Sequence, residues 1–186
     1  MGRPSALVLM GGKVGSHNTP GHYELLPGLL GGPAGLNVHV VDKLAALTEL
    51  SLKDYEIIVN YHSDNSPPPE TIDALWTAVK SGTPLLGLHA APYTVMNIQG
   101  GPEGIGTLYK SPHLKFQSFV VHLADQDHPI TDGVQDFTIE DEEYRLRPVK
   151  DTPIHVLGTY DDREIDRRVG DQDFEPEGHW PIIYNK

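Results

Sequence analysis

The stretch "PLLGLHAAPY" (84–93) decides how this sequence is read. An apolar run enters it, a glycine follows, and His89 stands at the bend before the small residues Ala90 and Ala91. The pattern is that of a buried strand turning sharply into a helix. In many α/β proteins such a bend presents a nucleophile, but this chain of 186 residues contains no cysteine. Either His89 is a core histidine satisfied by backbone groups, or it faces a ligand. Gly87, Ala90 and Ala91 favour the second reading, because small residues beside a bend allow close approach.

Upstream, apolar runs alternate with helical signals. "ALVLM" (6–10), "NVHVVD" (37–42) and "YEIIVN" (55–60) read as strands, and "TPLLGLH" (83–89) as a fourth. "SPPPETIDALWTAVKSG" (66–82) carries prolines before its first turn, Glu70 and Asp73 near the positive end, and a terminal Gly82, so it predicts a helix. Residues 22–31 give a weaker helix signal, since Pro27 and Gly28 interrupt them. Alternation with near-continuous apolar strands argues a doubly wound, mostly parallel sheet with helices on both faces. The second half changes character. "FQSFVVHLAD" (116–125), "DFTIEDEEYRL" (136–146), "TPIHVLGTYDD" (152–162) and "PIIY" (181–184) read as strands joined by turns, extending one edge of the sheet in partly antiparallel fashion. No linker divides the chain, so 1–186 reads as a single domain. The last strand has no helix after it, as though a closing strand and helix were missing.

Composition limits the function classes. The formal net charge of -12 repels phosphate backbones and anionic membranes, so neither nucleic acid nor a membrane is an expected partner. No apolar run reaches the roughly 18 residues needed to span a bilayer. The absence of cysteine removes disulfides, thiolate zinc sites and a cysteine nucleophile, and fits a cytoplasmic protein. A small molecule is the expected ligand, and the composition is compatible with a homo-oligomer.

In parallel sheets ligands bind beyond the carboxyl ends of the strands. That rule selects residues 11–17 with His17, then Tyr61 and His62, then His89 and Tyr93. "GGKVGSH" lacks the spacing of a dinucleotide fingerprint and reads as a loop. His113 precedes a strand in "SPHLKF", and His128 sits in a polar turn that Asp125 and Asp127 can hold. Strand periodicity across "EDEEYRL" places Glu140, Glu142 and Tyr144 on one face, with Asp141, Glu143 and Arg145 on the other. A carboxylate on the inward face needs a partner.

Taken together, "GLHAAPY", "SPH", "DHPITDGVQDF" and "DEEY" resemble the trehalose-utilisation (ThuA-like) family. The resemblance runs from the first strand to "HWPIIY" (179–184) and implies a flavodoxin-like, class I glutamine-amidotransferase-like fold. A Gly-Lys-Gly-Arg-Val segment and a terminal Gly-His motif, usual in the family, are not found here. His89 stands where amidotransferases carry their cysteine. Glutaminase chemistry needs a thiolate for its acyl intermediate, so glutamine hydrolysis is not expected. The resemblance implies chemistry on a disaccharide or keto-sugar, and it matches His17, His89, His113, Glu142 and Tyr144 to family positions. The expected assignment is His89, Glu142 and His17 as acid–base residues, with His113, Tyr61, His62, Tyr93 and Tyr144 contacting the sugar. A divalent metal such as zinc or manganese, held by histidine and carboxylate, is a variant that needs no cysteine. The alternative is a non-catalytic domain that binds a sugar or a partner protein.

Overall fold

The structure is a computed structural model that describes residues 3–13, 19–110 and 112–186. The chain divides into two compact units, Met1–Gly104 and Ile105–Lys186.

In the first unit, β1 (Ser5–Gly11) is the strand that its apolar run predicts, and residues 6–10 are fully buried. It pairs in parallel with β2 (Asn37–Val41) on one side and β3 (Ile57–His62) on the other. β4 (Leu85–Gly87) pairs in parallel with β3, giving the order β2-β1-β3-β4. This is the start of the flavodoxin-like order. Period-two alternation sends successive side chains of β1 to opposite faces. Leu7 and Leu9 pack with Ile58, Leu44, Leu47, Leu52 and with Leu75 and Ala78 of α2 (Pro69–Lys80). Val8 and Met10 pack with Val59 and with Tyr23, Leu26 and Leu30 of α1 (Pro20–Gly31). Each fully buried aliphatic side chain contributes about 1.5–3 kcal/mol.

The helices follow their local chemistry. α2 starts with Pro69 at its first turn, carries Glu70 there and Lys80 in the last turn. Ile72, Leu75 and Ala78 lie on its buried face. The weak signal over 22–31 does become a helix, which begins earlier, at Pro20, and accommodates Pro27. It buries none of its residues fully. Two expectations about the fourth strand are corrected. It is shorter than 83–89, and it is an edge strand rather than a central, buried one, with Leu86 40% exposed.

The second unit is antiparallel. β5 (Thr107–Lys110) pairs with β8 (Arg145–Pro148). β6 (Gln117–Leu123), β7 (Phe137–Asp141), β9 (His155–Asp161) and β12 (His179–Asn185) form a sheet in the order β12-β9-β6-β7. A small hairpin joins β10 (Arg168–Val169) and β11 (Gln172–Asp173). These strands were expected to extend the parallel sheet, and they form sheets of their own. Phe119, Val121, Tyr160 and Trp180 make the buried core. Pro181, which cannot donate to a ladder, is tolerated because among the described residues β12 pairs only with β9 and is irregular from Pro181 to Tyr184.

A further correction concerns "DFTIEDEEYRL". It is not one strand. The Glu142 N–H donates to the Asp141 side chain at 2.8 Å, β7 ends there, and β8 begins at Arg145 against a different partner. The polar turn around His128 is structural, as its sequence suggested. His128 Nδ1 accepts the Ile130 N–H at 3.2 Å, and the Asp125 carboxylate accepts the Asp127 N–H at 3.0 Å. Asp125 also meets His155 at 2.9 Å.

Candidate functional site

The first unit gathers aromatic rings at the carboxyl ends of its strands. β4 leaves the sheet after Gly87, and Leu88 N–H still donates to Asn60 O at 2.9 Å. His89 then adopts φ 46, a left-handed conformation. Such strain costs of order 1 kcal/mol for a non-glycine residue and concentrates at functional sites. The turn closes through Ala91 N–H to Leu88 O at 3.0 Å, and the short helix α3 (Ala91–Val95) follows. A Cβ on Gly87 would lie 3.1 Å from Ala91 Cβ, so the bend needs the small residues that its sequence shows. His89 is half-buried and stacks on Tyr61, with centroids 6.0 Å apart and planes at 26°. Tyr61 in turn meets His22 of α1 at 5.6 Å. Beside these rings lies a hollow of about 180 Å³ walled by Met10, Leu25, Leu26, Leu29 and Leu88 together with His22 and Tyr61.

The remaining expected residues of this unit divide. His62 is buried and committed to backbone. Its Nδ1 accepts the Asp64 N–H at 3.2 Å, which leaves Nε2–H to donate to Asp42 O at 3.3 Å. Burial pushes its pKa below the usual imidazole value, so it is neutral and ties the ends of β2 and β3 together. Tyr93, on α3, accepts a hydrogen bond from Asn65 at 2.7 Å and is not among the residues around the hollow. His17 lies outside the described residues.

The second unit holds a separate constellation. His113 Nε2 lies 3.7 Å from Glu142 Oε2. The His113 ring stacks on Tyr144, 5.7 Å between centroids and 26° between planes, and Tyr144 meets Tyr109 at 5.1 Å. The Tyr109 hydroxyl accepts the His113 N–H at 3.1 Å. His113 Nδ1 lies 2.7 Å from Leu114 O, a carbonyl that can only accept, so Nδ1 carries the proton in the neutral ring. The exchangeable position is then Nε2, the atom that faces Glu142. A proton can be taken or given there without changing the hydrogen bond at Nδ1. Glu142 Oε2 therefore faces His113, while His89 belongs to the other unit.

One residue of this region was placed on a face by the sequence but given no role. Glu143 is fully buried, and among the described residues neither carboxyl oxygen has a hydrogen-bond partner. Gln117 lies near, but its amide nitrogen donates to Asp166 O at 2.8 Å and its carbonyl accepts from Asp166 N–H at 3.0 Å. Burial pushes the Glu143 carboxyl up to about 7. His22 was also missed. Its signal is its place one helical turn before Leu25 and Leu26, on the face of α1 nearest the strand ends. Among the described residues, no three His, Asp or Glu side chains are grouped to hold a metal ion. No described helix is long and apolar enough to cross a membrane.

The parallel sheet and its elbow define an α/β protein whose fold is like that of glutamine amidotransferases. A glutamine amidotransferase from Thermotoga maritima shares this fold at a TM-score of 0.53, with 9% identity over 86% of this chain and 68% of its own. Two ThuA-like proteins are more similar in structure. One from Bacteroides uniformis gives a TM-score of 0.76 at 19% identity, over 98% of this chain and 77% of its own. One from Parabacteroides merdae gives 0.77 at 17% identity, over 98% and 75%. The comparison with curated proteins gave no match. The sequence model of the family described as ThuA, trehalose utilisation, matches residues 6–185, and the chain belongs to that family.

Proposed function

We propose that this chain is an enzyme of carbohydrate metabolism that acts on a disaccharide or keto-sugar by acid–base chemistry. Membership of a trehalose-utilisation family supports the substrate class. The observation that carries the chemistry is the His113–Glu142 pair stacked against Tyr144. In this reading Glu142 and His113 exchange a proton with a sugar hydroxyl or with the carbon next to a keto group. Tyr144 and Tyr109 offer ring faces to the apolar face of the sugar. His89 is a second candidate for substrate contact, because its strained backbone persists only where the surrounding structure holds it.

General acid–base groups typically contribute about 10²–10⁴-fold in rate. Glu142→Gln removes the carboxylate but keeps the size and part of the hydrogen bonding. It is expected to lower kcat on a 3-keto-glucoside by about 10²-fold or more while leaving the thermal melt within about 2 °C. Retention of full turnover in Glu142→Gln would remove this residue from the chemistry. Sugar binding without turnover in the wild type would favour the non-catalytic domain instead.

A further inference from the structure

Buried carboxyl groups are paired or they are neutral. Glu143 is fully enclosed, and around it the unit leaves an unusual number of polar atoms unpartnered. Both of its oxygens, Arg145 Nε and the Tyr160 hydroxyl are buried without a hydrogen-bond partner among the described residues. The charges packed near it do not supply a counter-ion. Lys115, ahead of β6, favours the ionised form but is paired with Asp166. Arg145, on β8, donates to Pro112 O at 2.6 Å and lies 4.3 Å over the Phe174 ring. Asp141, at the end of β7, opposes ionisation, while Gln117 of β6 favours it as a neutral donor whose amide is shared with Asp166 O. From β9, Tyr160 is pushed up by its own burial first, then by Glu143 and by Asp162 beyond it, with Arg145 opposing.

The position of Glu143 gives this anomaly a consequence. It stands between Glu142 and Tyr144 in the stretch "DEEY". Its carbonyl accepts the Leu114 N–H at 3.2 Å, which ties this segment to the one carrying His113. We propose that Glu143 is a positioning residue, held as a neutral acid inside the unit, which keeps Glu142 and Tyr144 beside His113, and that loss of its proton displaces that segment. An ionised Glu143 has no free counter-ion among the described residues, since Lys115 is paired with Asp166, so the charge is stabilised by bringing the side chain to water. Glu142 and Tyr144, its two chain neighbours, must move with it. The effect on turnover rests on the proposed function, whereas the link between proton and geometry does not.

The test uses the full chain, its glutamates labelled with ¹³C at the carboxyl carbon, beside Glu143→Gln and Glu143→Leu. The wild type is expected to show one carboxyl titrating near 7 that both variants lack. The Tyr144 ring signals are expected to shift across the same transition in the wild type only. Glu143→Gln is expected to gain melting temperature relative to wild type as pH rises from about 4.5 to about 7, because only the wild type holds a proton that the unfolded chain releases. On a 3-keto-glucoside, the wild-type rate is expected to fall above about 7, and the Gln variant's to stay level through that range. A Glu143 carboxyl titrating in the ordinary glutamate range would overturn the inference. So would Tyr144 shifts that are the same in all three proteins. If the sugar is not turned over, the carboxyl and ring signals still decide the inference, and only the proposed function fails.

Discussion

The two histidine sites of this protein are held in opposite ways. His89 is placed by the backbone. A parallel strand ends at Gly87, the chain bends through φ 46, and a helix begins at Ala91. Little side-chain chemistry is needed to put the ring where it is. His113 and Glu142 are placed by side chains and buried polar groups. The Tyr109 hydroxyl holds the His113 backbone, Arg145 holds Pro112 O, and Asp141 ends the strand just before Glu142. Sites of the first kind depend on steric freedom, and sites of the second on satisfied polar atoms. Substitutions should therefore separate the units by mechanism.

The largest effect is expected at Asp162, in the second unit. It is buried, and its carboxylate accepts Gly178 N–H and Trp180 Nε1–H at 2.8 Å each and Glu177 N–H at 2.9 Å. Asp162→Ala leaves three donors without acceptors, that of Trp180 buried and the two backbone N–H groups part-buried, and a buried loss costs about 1–3 kcal/mol. A total destabilisation of about 3 kcal/mol or more is expected, read by Trp180 fluorescence in urea. A Trp76→Phe background removes the signal of the other tryptophan. An Asp162→Ala cost no greater than that of an ordinary surface substitution, about 0.5 kcal/mol, would end the claim that polar burial organises this unit.

A smaller effect is expected at His89, where the mechanism is steric. Glycine populates the left-handed region without a Cβ penalty, and alanine does not. His89→Gly is expected to be more stable than His89→Ala by about 1 kcal/mol, even though glycine loses more backbone entropy on folding. Both variants lose the stack on Tyr61, so that loss cancels in the comparison. Chemical denaturation of the pair measures the difference. Equal stabilities, or a more stable alanine variant, would show that the bend relaxes and stores no strain.

The same contrast explains what the sequence revealed. β1, β3, α2 and the elbow at His89 were legible because continuous apolar runs, helix-end signals and small residues each have one physical reading. The doubly wound, mostly parallel class followed from them, and the family resemblance supplied its flavodoxin-like form. The first helix was only half legible, since Pro27 and Gly28 argue against what its packing permits. The second unit resisted because its decisive events are polar. Four acids run from Glu140 to Glu143, and nothing in that string says which is buried. A period-two pattern carried through them placed Glu142 and Tyr144 on one face, but the strand breaks at Asp141 and the pattern does not apply beyond it. The surroundings of His62 were hidden for a related reason. A strand end marks proximity to a site, but whether the ring faces ligand or backbone depends on Asp42 and Asp64, which no strand pattern reports.

The smallest expected effect tests whether exposed charge contributes to the second unit at all. His122 of β6 meets Asp136 through Nδ1 at 3.0 Å and Glu164 through Nε2 at 3.3 Å. Carboxylates on both nitrogens need a donor on both, so the arrangement is complete only for the imidazolium. The Asp136 hydrogen bond, with that of Glu164 second, raises the His122 pKa above its ordinary 6.5. The folded state thus binds this proton more tightly than the unfolded chain. Its contribution is fully present below about 6.5 and is lost as pH rises through the raised value. Exposure and salt screening keep the contribution small. His122→Gln is expected to lower the melting temperature at pH 5.5 by no more than about 2 °C, with the difference shrinking by pH 8.5 and in 0.5 M salt. This loss grows toward low pH through charge pairing, whereas the Glu143 effect arises between about 4.5 and 7 through burial. Measuring His122→Gln and Glu143→Gln separately and together tells the two apart, since distant independent sites add. A His122→Gln difference that is independent of pH would mean that the bridge is only geometric. Burial alone would then account for the pH response of this unit.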